Sequence, residues 1–177
     1  DNGIVYGIGY GHLFHTKIFP VMVQIEYSFP SGNKLFDDHK TKIGADIMWF
    51  EYQNIRFSTK IQGVYRRYEN NFVRLANFGT DLSGSIGYYK SKWFAAAEIG
   101  FDKAIVTNFK HSASYKDIFP GVIDGWYEPA TGGIFRYGIQ AGYSMTKHDI
   151  YLKGGSVLNQ DFKTKPFVPF YGEIAYN

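Results

Sequence analysis

The fold class is decided by residues 135–145, which read FRYGIQAGYSM. Odd-numbered positions in this stretch are apolar or aromatic, and even-numbered positions are polar or glycine. A period of two residues is that of a β-strand, whose successive side chains point to opposite faces; a helix repeats every 3.6 residues. The stretch therefore predicts a strand with one apolar face and one polar face.

The same alternation recurs along the chain, so that nine segments carry it. The other eight are residues 4–14, 21–29, 43–49, 55–65, 76–88, 93–101, 148–158 and 167–176. A chain of 177 residues is long enough for one domain and hardly for two. We therefore predict an all-β fold that forms a single domain over residues 1–177.

Composition narrows the class further. Hydrophobic residues make up 45% of the chain and aromatic residues 19%, which excludes a disordered chain. Cysteine is absent, so neither a disulfide framework nor a thiolate metal site is expected. The net charge of +3 is spread without a block of Lys or Arg, which argues against a nucleic-acid partner.

Two β folds produce such alternation. A soluble barrel, such as a lipocalin-like barrel with an apolar cavity, turns its apolar face inward, whereas a membrane barrel turns it toward lipid. The membrane barrel is favoured because the apolar runs last about ten residues, the length that crosses a bilayer when tilted. Rings with polar tips also stand near the ends of the apolar face, as at a membrane–water boundary. These rings are Tyr27, Phe29, Trp49, Tyr65, Tyr88, Trp93, Tyr143 and Tyr176.

The pattern resembles that of the outer-membrane β-barrel proteins of Gram-negative bacteria, over nearly the whole chain. The last segment, FYGEIAYN at 170–177, looks like the terminal strand of that class, although Asn177 stands where the family has an aromatic residue. The resemblance implies a bacterial outer-membrane location in contact with lipid and lipopolysaccharide. It also implies that Phe170, Gly172, Ile174 and Tyr176 form the signal that the barrel-assembly machinery reads.

The connections alternate in length. The short ones contain residues 15–17, 51–53, 90–92 and 146–148, and the longer ones span 30–40, 67–71, 103–131 and 159–166. Barrels of this class have short periplasmic turns, long outside loops and an even number of strands. We therefore predict a closed antiparallel up-and-down transmembrane barrel of eight strands, with ten as the alternative. The tenth would lie in 103–109 or before Asp1.

The polar face carries charges of both signs in equal number. They are Glu26, Lys42, Asp46, Arg56, Lys60, Arg66, Asp81, Glu98, Asp102, Arg136, Lys153 and Glu173. Charges in a low dielectric need partners, and a barrel of about eight strands has room only for side chains. The balance predicts a lumen filled by a salt-bridged charge network, in preference to an open channel.

A hydrolytic site is the main chemical alternative. His111 is followed by Ser112 and Ser114, with Asp117 and Glu128 downstream. A serine nucleophile needs a histidine base and an orienting carboxylate. His111, Ser114 and Glu128 are the candidates for these roles, although the residue two beyond His111 is Ala113 and not a serine. His12 and His15 fall on opposite faces of a strand, and neither a metal site nor a cofactor is predicted.

The long 103–131 connection contains an apolar cluster that is unusual for a solvated loop. Its members are Ile118, Phe119, Val122, Ile123, Trp126 and Tyr127. Such a patch indicates either a contact site, for instance with another outer-membrane protein, or a lid over the barrel mouth. The predicted role is a non-catalytic structural or accessory subunit of an envelope complex. The alternatives are a lipid A or phospholipid hydrolase and a narrow diffusion pore.

Overall fold

A computed structural model describes residues 4–16, 18–31, 38–129, 133–145, 148–164 and 166–176. Several predictions fall outside these ranges. They concern the terminal residues Asp1 and Asn177, the turn residues Lys17, Thr146 and Lys147, most of the 30–40 connection, and the end of the 103–131 loop.

The described residues form ten strands and one short helix. The strands are β1 (Val5–His15), β2 (Pro20–Pro30), β3 (Asp38–Tyr52), β4 (Ile55–Glu69), β5 (Val73–Tyr89), β6 (Trp93–His111), β7 (Gly125–Tyr127), β8 (Gly133–Ser144), β9 (Asp149–Asn159) and β10 (Phe170–Tyr176). The helix, α1, spans Ala113–Ile118.

Nine of the strands form one antiparallel up-and-down sheet in the order β1-β2-β3-β4-β5-β6-β8-β9-β10. Strand β7 lies off this path and pairs with β6 at Thr107–Phe109, beyond the part of β6 that pairs with β8. The predicted all-β antiparallel up-and-down fold is confirmed.

The predicted closed barrel of eight strands is wrong in both count and closure. All nine periodic segments form strands of the wall, and no pairing joins β1 to β10 among the described residues. The sheet is therefore an open half-barrel. An odd number of antiparallel strands makes the first and last run in the same direction, so these two cannot close the wall with an antiparallel pair.

The long connection begins later than predicted. Strand β6 has 19 residues and continues through Lys103–His111, so 103–109 is neither loop nor a separate strand. The β5–β6 register shifts between Phe78 and Gly79, whose partners are Val106 and Ala104. Ile105 is thus the extra residue of a β-bulge, which changes the face on which the following side chains lie.

The connections gather at two ends of the sheet. The connections β1–β2, β3–β4, β5–β6 and β8–β9 lie at the short-turn end, and α1 and β7 lie at the long-connection end. Gln53 and Asn54 both have positive φ, 48° and 68°, as the type I′ hairpin turn between β3 and β4 requires.

The two faces of the wall differ in polarity. On the outer face an aliphatic band runs across the strands through Ile25, Ile43, Ile61, Leu82, Ile99, Ile139, Leu152 and Ile174. Aromatic residues lie on either side of this band. They are Trp49, Tyr88, Trp93, Tyr143 and Tyr176 toward the short-turn end, and Phe29, Tyr65, Phe78, Phe101 and Phe135 toward the other. The inner face carries the charged and amide side chains.

Candidate functional site

Asp81 is the centre of the inner face. Its side chain, on β5, is only 1% exposed. It accepts hydrogen bonds from Lys42 Nζ on β3 at 2.6 Å and from Arg136 Nη2 on β8 at 2.7 Å. A buried carboxylate needs such compensation, because transferring an unpaired charge out of water is costly.

Arg136 joins Asp81 to a second buried acid. Its Nε lies 3.4 Å from Glu98 Oε1, and Lys153 Nζ of β9 lies 2.7 Å from both Glu98 oxygens. Lys42, Asp81, Arg136, Glu98 and Lys153 thus form one continuous charge relay across five strands. We call these five residues the charge relay.

The curvature of the wall makes the relay possible. Strand β5 is separated from β3 by β4, and from β8 by β6. Adjacent strands lie about 4.8 Å apart, so direct ion pairs between second neighbours require long side chains that converge on the concave side. The pairs Lys42–Asp81, Arg136–Asp81 and Lys153–Glu98 all span such a distance.

Two smaller polar clusters flank the relay. Arg66 pairs with Asp102 and donates to Asn77 Oδ1 at 3.1 Å, and Asn77 in turn donates to Thr107 Oγ1 at 2.7 Å. In the other cluster Glu26 lies 3.5 Å from Lys60 Nζ. Its carboxylate also accepts from Gln24 and Gln62, at 3.1 and 3.2 Å.

The remaining predicted charges lie on the strands at the margins of these clusters. Arg56 donates to Glu51 at 3.2 Å and covers the Tyr89 ring, near the short-turn end. Asp46 stands opposite Lys60 in the β3–β4 register. Glu173 stands opposite Lys153 and accepts the Tyr151 hydroxyl at 3.2 Å.

The predicted set omitted the neutral members of these clusters. Gln62 is only 2% exposed, and Gln24 and Thr107 are also buried. The alternation of the strand pattern places Gln62 and Gln24 on the polar face, so the sequence indicates their position, but a prediction restricted to charged residues leaves them out. Thr107 follows the bulge, where simple alternation fails.

His111 ends β6 and holds the long connection to the wall. Asp124 Oδ1 accepts from both the backbone N–H and the ring Nδ1 of His111, each at 2.9 Å, and Asp124 Oδ2 accepts from Lys116 Nζ at 2.5 Å. The His111 backbone N–H, followed by Lys116, holds the pKa of Asp124 well below its usual value. We call these three residues the loop latch.

The predicted hydrolase candidates do not assemble into a triad among the described residues. His111 pairs with Asp124, which the sequence did not indicate, and no described hydrogen bond links its ring to a serine or to Glu128. Ser112 Oγ accepts from the Tyr115 N–H at 3.2 Å as the N-cap of α1. Ser114 Oγ lies 3.0 Å from Ser112 Oγ.

The predicted contact patch lies around the latch and is mostly exposed. Ile118, Phe119, Ile123, Trp126 and Tyr127 are exposed, whereas Val122 is half-buried. Trp126 packs against Phe78 on the outer face, with ring centroids 6.0 Å apart. A cavity of about 420 Å³ opens beside the patch and is lined by Thr107, Phe109, His111, Ile123, Tyr127 and Pro129.

The predicted assembly signal lies on the edge strand β10. Phe170, Gly172, Ile174 and Tyr176 are all exposed on the outer face. A Cβ at Gly172 would meet nothing within 4 Å. The row is thus continuous with the apolar face of the wall.

Within the described ranges, no three His, Asp or Glu side chains converge so as to hold a metal ion. Over the same ranges, no helix has the length and apolar content needed to cross a membrane. Comparison of the chain with protein-family models, curated proteins and solved structures finds no match.

Proposed function

We propose that this chain forms the wall of a bacterial outer-membrane β-barrel with a non-catalytic, structural or accessory role and an interior filled by side chains. One observation carries the proposal, namely that the polarity of the fold is inverted. Among the described residues, Asp81 and Gln62 are the largest fully buried side chains, whereas Ile139 and Ile99 are 71% and 67% exposed. In water, this arrangement would leave the apolar rows without a partner.

The outer face matches the layers of a bilayer. An aliphatic band between two aromatic rows suits a hydrocarbon core between two interfaces. The strands of the wall are 7 to 19 residues long, and most exceed the nine to eleven residues, roughly, that a tilted strand needs to cross. A lipocalin-like soluble barrel would instead bury these aliphatic side chains in its cavity.

The charge relay supports a structural role over a transport role. Its five side chains connect strands β3 to β9, and each of them pairs with at least one opposite charge inside the wall. A conducting path would need water and mobile ions where these groups make direct contacts. The exposed patch around the loop latch supports an accessory role, since it offers apolar surface to a neighbouring envelope protein.

Because the chain contains no cysteine, single introduced cysteines can test directly whether the wall lies in a membrane. Each of two variants carries one spin-labelled cysteine, at Ile139 or at Gln140, and is refolded into phospholipid vesicles. The two labels differ only in the face of the wall on which they lie. We expect the Ile139→Cys label to be accessible to oxygen and protected from a water-soluble nickel chelate. The Gln140→Cys label should show no preference for oxygen.

The neighbouring strand supplies a matched pair. Ala97 is exposed on the outer face and Ala96 is buried on the inner face. The labels at Ala97→Cys and Ala96→Cys should differ in accessibility to oxygen and nickel in the same way as the labels at Ile139→Cys and Gln140→Cys. Greater nickel than oxygen accessibility at both 139 and 97 would refute the membrane proposal.

A further inference from the structure

The outer face carries a group of cations at the long-connection end, beyond its aromatic row. Arg67 follows Tyr65 by two residues on β4, and Arg74 precedes Phe78 by four on β5, so both arginines share the outward face of these rings. Lys110 of β6 stands opposite Arg74 in the strand register. We call Arg67, Arg74 and Lys110 the basic cluster.

One acid organises the basic cluster and leaves it with an excess of positive charge. Glu69 stands opposite Arg74 and accepts from its Nε and Nη2 at 2.9 and 3.0 Å. The same carboxylate accepts from Arg67 Nη2 at 2.7 Å. Lys110 is exposed and makes no described hydrogen bond or ion pair. Among the described residues, the three cations of the cluster therefore share a single carboxylate.

The strand register places a small residue in the middle of this cluster. Ala76 stands opposite Arg67 on one side and Asn108 on the other, and its side chain ends at Cβ. Arg74 is the next outward residue of β5 beyond it. Two guanidinium groups, one amide and the Lys110 ammonium thus surround a position that has no long side chain. Such N–H donors are those that bind phosphate oxygens, and guanidinium groups can do so in pairs of hydrogen bonds.

The height of the basic cluster along the strands matches the headgroup layer of a bilayer. Ile61 of β4 and Leu82 of β5 belong to the aliphatic band, and Arg67 and Arg74 lie six and eight residues from them. These separations are about 20 and 27 Å along the strands. At a tilt of about 40° they become about 15 and 20 Å along the membrane normal. Half of the hydrocarbon core is about 15 Å thick and half of the whole bilayer about 20–22 Å, so both arginines fall at the level of lipid headgroups.

We propose that the basic cluster binds the phosphate group of a phosphorylated membrane lipid whose acyl chains lie against the aliphatic band. The guanidinium groups of Arg67 and Arg74 and the ammonium of Lys110 donate to phosphate oxygens above Ala76. Glu69 holds the two arginines side by side without cancelling the charge of the cluster. This inference rests on the proposed function and deepens it, since it names the class of lipid that the outer face selects.

Quenching of Trp126 by brominated lipids measures this binding. Trp126 stands opposite Asn108, one outward position before Lys110, and is 58% exposed. In a Trp49→Phe, Trp93→Phe background, the full chain is refolded into phosphatidylcholine vesicles that contain the same minor fraction of brominated phosphatidic acid or brominated phosphatidylcholine. We expect brominated phosphatidic acid to quench Trp126 more strongly. Trp49, kept as the single tryptophan near the short turns, should be quenched equally by the two lipids.

Substitutions of Lys110 show whether the cluster causes the preference. Lys110→Gln should lower the relative association constant of phosphatidic acid about fivefold, the usual contribution of one cation at an anionic membrane surface. Because Lys110 makes no described ion pair, its replacement leaves no charge unpaired. Lys110→Arg should retain the preference. Lys163→Gln, which removes an exposed cation from the connection between β9 and β10 at the same end of the wall, should also retain it.

Inorganic phosphate distinguishes a lipid from a soluble ligand. When it replaces chloride at constant ionic strength, the stronger quenching by brominated phosphatidic acid should persist. Loss of that preference would assign the basic cluster to soluble phosphate and overturn the lipid assignment.

Two further results would overturn the inference while the membrane proposal stands. One is equal quenching of Trp126 by the two brominated lipids. The other is the same loss of preference in Lys163→Gln as in Lys110→Gln, since the attraction would then belong to the whole surface and not to the cluster. If neither lipid quenches Trp126 or Trp49, the wall does not contact acyl chains, and both proposals fail.

Discussion

At the scale of single residues, the decisive contacts are those of Asp81. Its neighbours in the strand register are Gln62 and Asp102, the second of which carries the same charge. Pairing by register alone would therefore predict repulsion. The structure resolves this because Asp81 turns to Lys42 and Arg136, while Asp102 turns to Arg66.

The sequence could place these groups on one face but could not choose the partners. Alternation places Asp81 and Lys42 on the polar face, because the residues next to them in sequence belong to the apolar face of the same strand. Which cation meets which acid depends on the curvature and relative shift of strands that are not adjacent. Neither the curvature nor the relative shift can be predicted from a local sequence pattern. Gln62 is absent from the predicted set for a different reason, namely that its side chain carries no charge.

We predict that Asp81→Asn strongly destabilises the folded wall. The substitution keeps the shape but removes the anion between Lys42 and Arg136. Removing one partner of a buried ion pair costs about 3–5 kcal/mol, because the other charge stays buried. Urea unfolding of the protein in lipid vesicles measures this loss.

Glu51→Gln is the control for that experiment, because it breaks an ion pair with Arg56 whose side chains are 36–42% exposed. Exposed pairs contribute about 0–1 kcal/mol, so the midpoint should hardly move. An equal loss in the two variants would contradict the special role assigned to the buried relay.

At the scale of the elements, alternation identified every strand of the wall but not the irregularities within them. The nine periodic segments correspond to β1–β6 and β8–β10, and the error came from imposing an even count on them. The bulges at Trp49 and Ile105 shift the register within β3 and β6. Past each bulge, the rule that assigns faces by parity gives the wrong side.

Close contact between β3 and β4 depends on Gly44. A Cβ built there would overlap the Ile61 carbonyl oxygen and crowd the Gln62 Cα, both backbone atoms of β4. We predict that Gly44→Ala lowers the free energy of unfolding by about 1–3 kcal/mol, the usual cost of overpacking. The urea assay in vesicles applies here too.

Gly172→Ala provides the comparison, because open space surrounds its added Cβ. Its effect should stay within about 0.5 kcal/mol. If both alanine variants unfold at the wild-type urea concentration, the strands do not approach each other as closely as described.

The loop latch predicts a pH dependence of the long connection. Asp124 has a lowered pKa in the folded protein, so its stabilising contribution is complete above the unfolded value of about 3.9 and is lost as pH falls through the lower folded value. The latch should therefore stay closed at about pH 4 and open only well below that pH.

Trp126 reports on this opening, because β7 directly follows Asp124. In a Trp49→Phe, Trp93→Phe background it is the only one of the chain's three tryptophans that remains. Its emission should be constant from pH 7 to about pH 4 and change at lower pH. Asp124→Asn should abolish this acid transition. In the protein that retains Asp124, a transition midpoint near the pKa of free aspartate would contradict the latch.

At the scale of the whole molecule, the curvature of the sheet connects the polarity of its two faces with its two unpaired edges. The outer face is apolar because its side chains meet lipid in the proposed setting, and the inner face can be charged because curvature lets its ions find each other. Curvature without closure leaves β1 and β10 as the two edges of the described sheet.

The filled interior leads to a prediction about conductance. Because the relay side chains span the inner face in direct contact, the protein in a planar bilayer should conduct no ions. Replacing both Asp81 and Arg136 by Ala removes the two groups that bridge β3, β5 and β8, and keeps the net charge. We expect this double variant, where it folds, to open a water-filled path with a measurable conductance. Ile99→Ala, which trims only the outer face, should stay silent, and steady conductance of the unaltered protein would instead make the wall part of a narrow pore.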